Sequence, residues 1–220
     1  MPNSIAPRPL FITVPHAGEL VPGGCSWLRS QPDQILLLDV DRFVDRLYAQ
    51  ALAAFSIPAV IAQVHRYAVD LNRTPHDIDQ ASVVGAASPA GTHTQGIHWV
   101  KSTQGHVLIS TPMSAELHQK LIQEFHAPFH QAIQSVCAPL LKSFGEVFHL
   151  DCHSMPSQGT GAHADAGERR ADVVLSDFDG KSCRPDFLSS VSEAFKAEGL
   201  SVSVNWPYKG GKITQRYGRP

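Results

Sequence analysis

GEVFHLDCHSMPS, residues 145–157, runs an apolar approach into an acid, a thiol, an imidazole and a hydroxyl, then stops at Met155-Pro156-Ser157. A buried strand that ends this way delivers its last side chains to the edge of a sheet. The strand itself spans Val147–Leu150. A second stretch behaves alike: Leu10-Phe11-Ile12-Thr13-Val14 is a short β-branched run, closed by Pro15 and followed by His16-Ala17-Gly18. Two buried strands, each with a histidine just beyond its end, set the frame for the rest of the chain.

Working outward, Ile35 to Phe55 has apolar residues near helical spacing, with Pro58 after its end, and predicts one helix. Ala59–Val64 predicts a strand leading into HRYAVDLNR, residues 65–73. Residues 74–105 are rich in Gly, Ser, Thr, His and Pro, the composition of a binding loop or lid. Ser114 to Cys137 predicts a helix capped by Ser114, with Leu117, Leu121, Ile122, Phe125 and Phe129 as its inner stripe and a kink or division at Pro128. The strand Asp172–Leu175, the helix Pro185–Glu198 and the strand Ser201–Val204 complete the order. Alternating strands and helices predict an α/β fold: a single domain, a three-layer sandwich with a mixed central sheet and helices on both faces. Ligands gather at the carboxyl ends of strands in such sheets, where His16, Arg73, His153, Asp177 and Asn205 all fall.

Composition excludes several functions. The 220 residues are 43% hydrophobic and 17% charged with a net charge of −2, which offers no electrostatic grip on nucleic acid or a membrane surface. No apolar stretch approaches the roughly 20 residues needed to cross a bilayer. MPNSIAPRPL has no signal pattern, and four scattered cysteines without a CxxC pair fit a reducing cytoplasm. Of the twelve histidines, His76, His93, His106 and His118 lie in polar surroundings and are expected at the surface.

His16 and His153, after two separate strands, are what a catalytic zinc site would use, given a third ligand and an open position for water. The third ligand is a carboxylate: Glu19, at His-x-x-Glu spacing from His16, or Asp41 in LDVDRFVD. Asp151 points to the same side of its strand as His153 and can orient that imidazole. The plainer reading is two hydrogen-bonded loop histidines. A triad of Asp151, His153 and Cys152 or Ser154 is rejected, because adjacent residues on an extended strand face opposite sides and no G-x-S-x-G elbow is present. Arg73 is a candidate clamp for a substrate carboxylate, with a salt bridge to Asp70 or Asp77 as its structural alternative. Arg169 and Arg170 are either similar clamps or solvated. SDFDGKSC (176–183) reads as an Asp-Gly turn, and NWPYKGG (205–211) as a polar loop presenting Asn205, Tyr208 and Lys209.

Taken in order, TVPHAGELVP (13–22), DVDRFVDRLY (39–48), RYAVDLNR (66–73), LDCHSMPS (150–157), RADVVLSDFDGKSC (170–183) and NWPYKGGKITQRYGRP (205–220) resemble the N-formylglutamate amidohydrolases (N-formylglutamate deformylases). GIHWVKSTQGHVL and FHAPFHQAI fall where that family has comparable segments. The resemblance implies a zinc-exopeptidase-like α/β fold. It also implies metal-assisted hydrolysis of an N-acyl amide on a small acidic amino acid, as in histidine breakdown. By the same resemblance His16, Asp41 and His153 hold Zn2+ or another divalent metal, Arg73 with Asn72 meets the substrate carboxylates, and Asn205, Tyr208 and Lys209 line the pocket. Family chains run on past the Tyr-Gly-x-Pro stretch to a strand bearing a Glu, a plausible general base. Here the sequence reaches Pro220 without it, so the domain is expected to lack the family's C-terminal segment. Glu19, or Asp39, is then expected to serve as the catalytic acid or base, with Asp151 orienting His153. The alternatives are a catalytically impaired relative that binds metal and ligand, or a deacylase or peptidase for another N-acyl substrate.

Overall fold

The computed structural model describes residues 8–161 and 163–219. The beginning of the N-terminal stretch read above for a signal pattern, residues 1–7, lies outside them, as does Pro220. The chain forms two compact units, Met1–Ser154 and Met155–Pro220.

In the first unit, strand β1 (Leu10–Val14) sits between β2 (Ala59–Ile61) and β3 (Phe148–Asp151), and both neighbours run parallel to it. Register places Thr13 opposite Asp151, so the two strands leave the sheet at the same edge. Parallel neighbours cannot be joined by tight hairpins, and long helix-bearing crossovers connect them here. Before β2 come α1 (Ser26–Arg29), α2 (Asp33–Leu36), α3 (Val44–Leu47) and α4 (Ala49–Phe55). Between β2 and β3 lie α5 (Ala115–Leu121), a π-helical stretch (Ile122–His126) and α6 (Ala127–Phe144). Ile12, Val14, Val44 and Cys152 form a buried cluster that Tyr48, Leu52, Ala59, Ile61 and Leu150 pack against. Each fully buried aliphatic side chain contributes about 1.5–3 kcal/mol. α6 packs against β1 and β2.

The second unit holds β4 (Val173–Leu175), α7 (Pro185–Ala197), β5 (Val202–Val204) and α8 (Lys212–Tyr217). β4 and β5 pair in parallel, with α7 packed on both.

The α/β class holds, with corrections. Every strand ladder among the described residues is parallel, in a three-stranded and a two-stranded sheet, in place of one mixed sheet. The helix expected over 35–55 is broken into α2, α3 and α4. Phe43 takes a left-handed φ of 69°, and the Asp41 N–H donates to the His16 carbonyl, not to a helical turn. Tertiary bonds at Asp39 and Asp41 outweigh local periodicity there. The helix from Ser114 forms as expected: the Ser114 hydroxyl accepts the Leu117 N–H at 3.2 Å. It changes to π geometry just before Pro128, whose missing N–H cannot close an α turn. It also continues past Cys137 to Phe144.

Residues 74–105 are not a detached lid. Buried Asp79 accepts N–H groups of Ala81, Gly91 and His93, and Ile97, His98 and Trp99 are buried in the core. His118, expected at the surface, is buried against His98.

Candidate metal centre

Beyond β1 and β3 the chain turns, and His16 and His153 leave from neighbouring strand ends. Gly18 permits the turn after His16, since a Cβ there would lie 2.4 Å from the Gln63 carbonyl carbon. The loop that precedes α3 is tied to this edge by the Asp41 N–H bond to the His16 carbonyl, 3.0 Å. Three side chains converge as a result. His16 Nδ1 lies 3.1 Å from His153 Nδ1, His153 Nδ1 lies 3.0 Å from Asp41 Oδ2, and His16 Nδ1 lies 3.6 Å from that same oxygen. His16 and Asp41 are buried, while the His153 side chain is 32% exposed and gives the cluster an open side.

The opposite ring nitrogens are also held. His16 Nε2–H donates to Asp70 Oδ1 at 2.7 Å, and His153 Nε2–H donates to Asp151 Oδ2 at 3.1 Å. Each Nδ1 lone pair is thereby aimed at the shared point, the arrangement in which an outer carboxylate fixes the tautomer of a metal-binding histidine. Asp70, fully buried, also accepts the Asn72 N–H, the Trp99 indole N–H and an Arg66 guanidinium N–H at 2.9, 2.9 and 3.2 Å. Burial opposes ionisation of Asp70, but His16 and Arg66 outweigh it and hold the carboxyl well below its usual range. Asp151 is placed by Thr13, whose hydroxyl donates to Oδ1 at 2.5 Å.

Charge collects at His153. Burial alone would push its pKa down, yet the carboxylates of Asp151 and Asp41 drive it up to about 10. Asp41 is lowered in turn: burial raises it, and hydrogen bonds from His153 and His16 more than compensate. A site built from an imidazole lone pair and converging carboxylates favours one concentrated positive charge. The three donor atoms can hold a metal ion. Ligands about 2.0–2.1 Å from a tetrahedral zinc stand about 3.3 Å from one another, and the separations of 3.0–3.6 Å fit that triangle.

Not every candidate joins the cluster. Glu19 is 52% exposed and pairs with Arg42 Nε at 3.0 Å. Asp39 accepts from Tyr67 Oη at 2.5 Å and from Thr103 Oγ1 at 2.5 Å, which engages both of its oxygens. Cys152 is a core filler whose thiol burial pushes up to about 12, and the Ser154 hydroxyl donates to Asp41 Oδ1 at 3.2 Å. Neither is an activated nucleophile.

Arg73 makes no ion pair with Asp70 or Asp77. Its Nε and Nη1 donate to the carbonyls of Gln95 and Asn72, while Asp70 pairs with Arg66 and Asp77 accepts the Thr74 N–H. Asn72 is buried beside it.

In the second unit, Asn205 has a φ of 56° and bonds Asp177 twice, accepting its N–H at 3.0 Å and donating Nδ2–H to Oδ1 at 2.6 Å. Lys209 pairs with Asp179 at 2.9 Å on the surface. The Tyr208 ring lies under the Arg170 guanidinium, 5.0 Å from its centre. Arg170 is neither solvated nor a free clamp, because it makes a buried two-pronged pair with Asp165 at 2.6 and 2.9 Å.

Asp70, the partner of His16, is not apparent from the sequence. Its only sequence signal was an acid closing the apolar run YAV, 67–69, and nothing local says which histidine it meets.

Together these features describe an α/β protein with a candidate metal centre set at the carboxyl edge of a parallel sheet. Comparison with known proteins supplies the family. The family model for N-formylglutamate amidohydrolase matches residues 8–220, and the chain belongs to that family. It is 33% identical to the N-formylglutamate deformylase of Pseudomonas aeruginosa, over 96% of this chain and 76% of that one. It is 29% identical to the N-formylglutamate deformylase of Pseudomonas putida, over 96% and 75%. The solved N-formylglutamate amidohydrolase of Ralstonia eutropha superposes with a TM-score of 0.82 at 26% identity, covering 96% of this chain and 77% of that one.

Proposed function

We propose that this chain hydrolyses the N-formyl amide of glutamate, releasing formate and the free amino acid, with His16, Asp41 and His153 holding a divalent metal such as Zn2+. The observation that carries the reading is the triangle of Nδ1, Nδ1 and Oδ2 atoms, each imidazole backed by its own carboxylate. Membership of the family and the names of both Pseudomonas relatives support the substrate. A divalent ion held there would polarise the formyl carbonyl and lower the pKa of its water.

The chain's own residues do the rest. Water adds to the formyl carbon, the C–N bond breaks, and the leaving amine takes a proton. Asp70 and Asp151 keep the two imidazoles in the tautomer that presents Nδ1. Arg73, held by two carbonyls and unpaired with any acid among the described residues, anchors a substrate carboxylate beside Asn72. In the second unit, the polar loop bearing Asn205, Tyr208 and Lys209 is the segment we assign to substrate binding. Both oxygens of Asp41, Asp70 and Asp151 are engaged. Glu19, held at Oε1 by Arg42 on a surface pair, is the acid we assign to moving the proton of the attacking water. The match over residues 8–220 supports reading both compact units as parts of one amidohydrolase domain. Among the described residues no helix is long and apolar enough to cross a membrane. All four cysteines are free thiols, in keeping with the reducing cytoplasm where histidine breakdown would use this reaction.

Incubating the metal-loaded chain with N-formylglutamate and assaying formate tests the proposal. Release is expected, with Glu19→Gln lowering kcat and leaving KM unchanged. Thermal stabilisation by N-formylglutamate without any formate would instead mark a binding protein.

A further inference from the structure

Residues 66–73 carry Asp70, Asn72 and Arg73, yet they form neither helix nor strand, and residues 67–72 are buried. Their carbonyls have no ladder to join, and a buried carbonyl without a donor is costly. Imidazoles fill the gap. His98 Nδ1–H donates to the Ala68 carbonyl at 2.5 Å, His130 Nε2–H to the Leu71 carbonyl at 3.1 Å, and His126 Nε2–H to the Arg73 carbonyl at 3.0 Å. His118 Nδ1–H in turn donates to His98 Nε2 at 2.9 Å.

The helix is shaped to deliver them. His126 and His130 are four residues apart, one turn, and their rings lie 4.3 Å from each other. His118 lies eight residues before His126, a spacing that drifts off the stripe in a regular α-helix. The intervening π-helical stretch closes its turn with one extra residue, so the eight residues make about two turns and return His126 to the face of His118. The result is a row of His118, His126 and His130, all buried, on the face that meets this segment. An imidazole suits the task because it offers an N–H at the end of a rigid ring while staying uncharged. Lysine or arginine would bring a charge into the core. Burial keeps His98 neutral, pushing it down to about 4, which its Nε2 requires in order to accept from His118.

We infer that His126 and His130 are positioning residues of the hydrolase: by holding the Arg73 and Leu71 carbonyls they set where the Arg73 guanidinium and the Asp70 carboxylate stand. This rests on the reading of Arg73 as the anchor for a substrate carboxylate. His126 acts on substrate binding through Arg73, and His130 acts on the centre through Asp70.

The test is a set of kinetic variants of the metal-loaded chain on N-formylglutamate. His126→Leu removes the donor and should raise KM about tenfold with kcat within about twofold. His126→Gln, whose amide N–H can reach the same carbonyl, should restore KM. In an Arg73→Met background His126→Leu should raise KM no further, since its effect passes through that arginine. A KM unmoved by His126→Leu, equal damage from Leu and Gln, or the full tenfold persisting without Arg73 would overturn the inference. Should His126→Leu not fold, His126→Asn replaces it: its shorter amide falls short of the carbonyl, and it must raise KM where Gln does not. Arg73→Met alone separates the two layers. If it leaves KM unchanged, the anchoring role of Arg73 has failed; if it raises KM while His126→Leu does not, only the positioning role has.

Discussion

Two groups of histidines in the first unit do opposite things with the same ring. At the sheet edge, His16 and His153 lie among Asp41, Asp70 and Asp151, and His153 is driven up to about 10. Behind it, His98, His118, His126 and His130 lie among carbonyls and one another, and burial pushes His98 down to about 4. Carboxylate partners collect positive charge at His153, whereas burial leaves His98 a neutral donor to the Ala68 carbonyl. What an imidazole does here is decided by whether a carboxylate offsets its burial.

The largest break in that contrast comes from removing an edge ligand. His16→Ala or His153→Ala should lower kcat/KM at least about 10³-fold, roughly 4 kcal/mol of transition-state stabilisation. Next is the inner group's response to acid. Unfolded, His98 binds its proton near 6.5, and folded only near 4, so the unfolded chain holds more protons between those values. Its contribution is fully present above 6.5 and drains as pH falls toward 4, by on the order of 3 kcal/mol. Urea midpoints measured across that range should fall more steeply for the native chain than for His98→Asn; parallel curves would remove His98 from the account. Smaller still is the exchange of partner at the edge. Asp70→Asn keeps the shape but not the charge, and should weaken zinc binding about 10–100-fold, read by competition with a chelating dye. An unchanged affinity would mean that Asp70 only packs.

The edge half of this contrast is legible in the sequence, and the inner half is not. Leu10–Val14 is the strand that forms, and the histidines just past it and past β3 do meet. Such features are local: a β-branched run, a proline stop, a polar residue at a strand end. What failed depended on distant partners. The period over 35–55 was helical, but Asp41 is bonded to the backbone of His16 and Asp39 to Tyr67 and Thr103, and those contacts break the helix. His118 looks like a surface residue because Glu116 and Lys120 flank it; its burial depends on His98, twenty residues away. Arg170 reads as a clamp or a solvated residue for the same reason, with Asp165 hidden in a Gly-rich loop. Charged residues that end up buried are read from their partners, and a linear sequence does not order partners.

The central claim is that His16, Asp41 and His153 surround one catalytic cation. Strip the purified chain with a chelator, then titrate zinc back while following bound metal and formate released from N-formylglutamate. About one zinc per chain is expected, with formate release rising in step with it and both lost in His153→Ala. A zinc-free chain that releases formate at the full rate would contradict it.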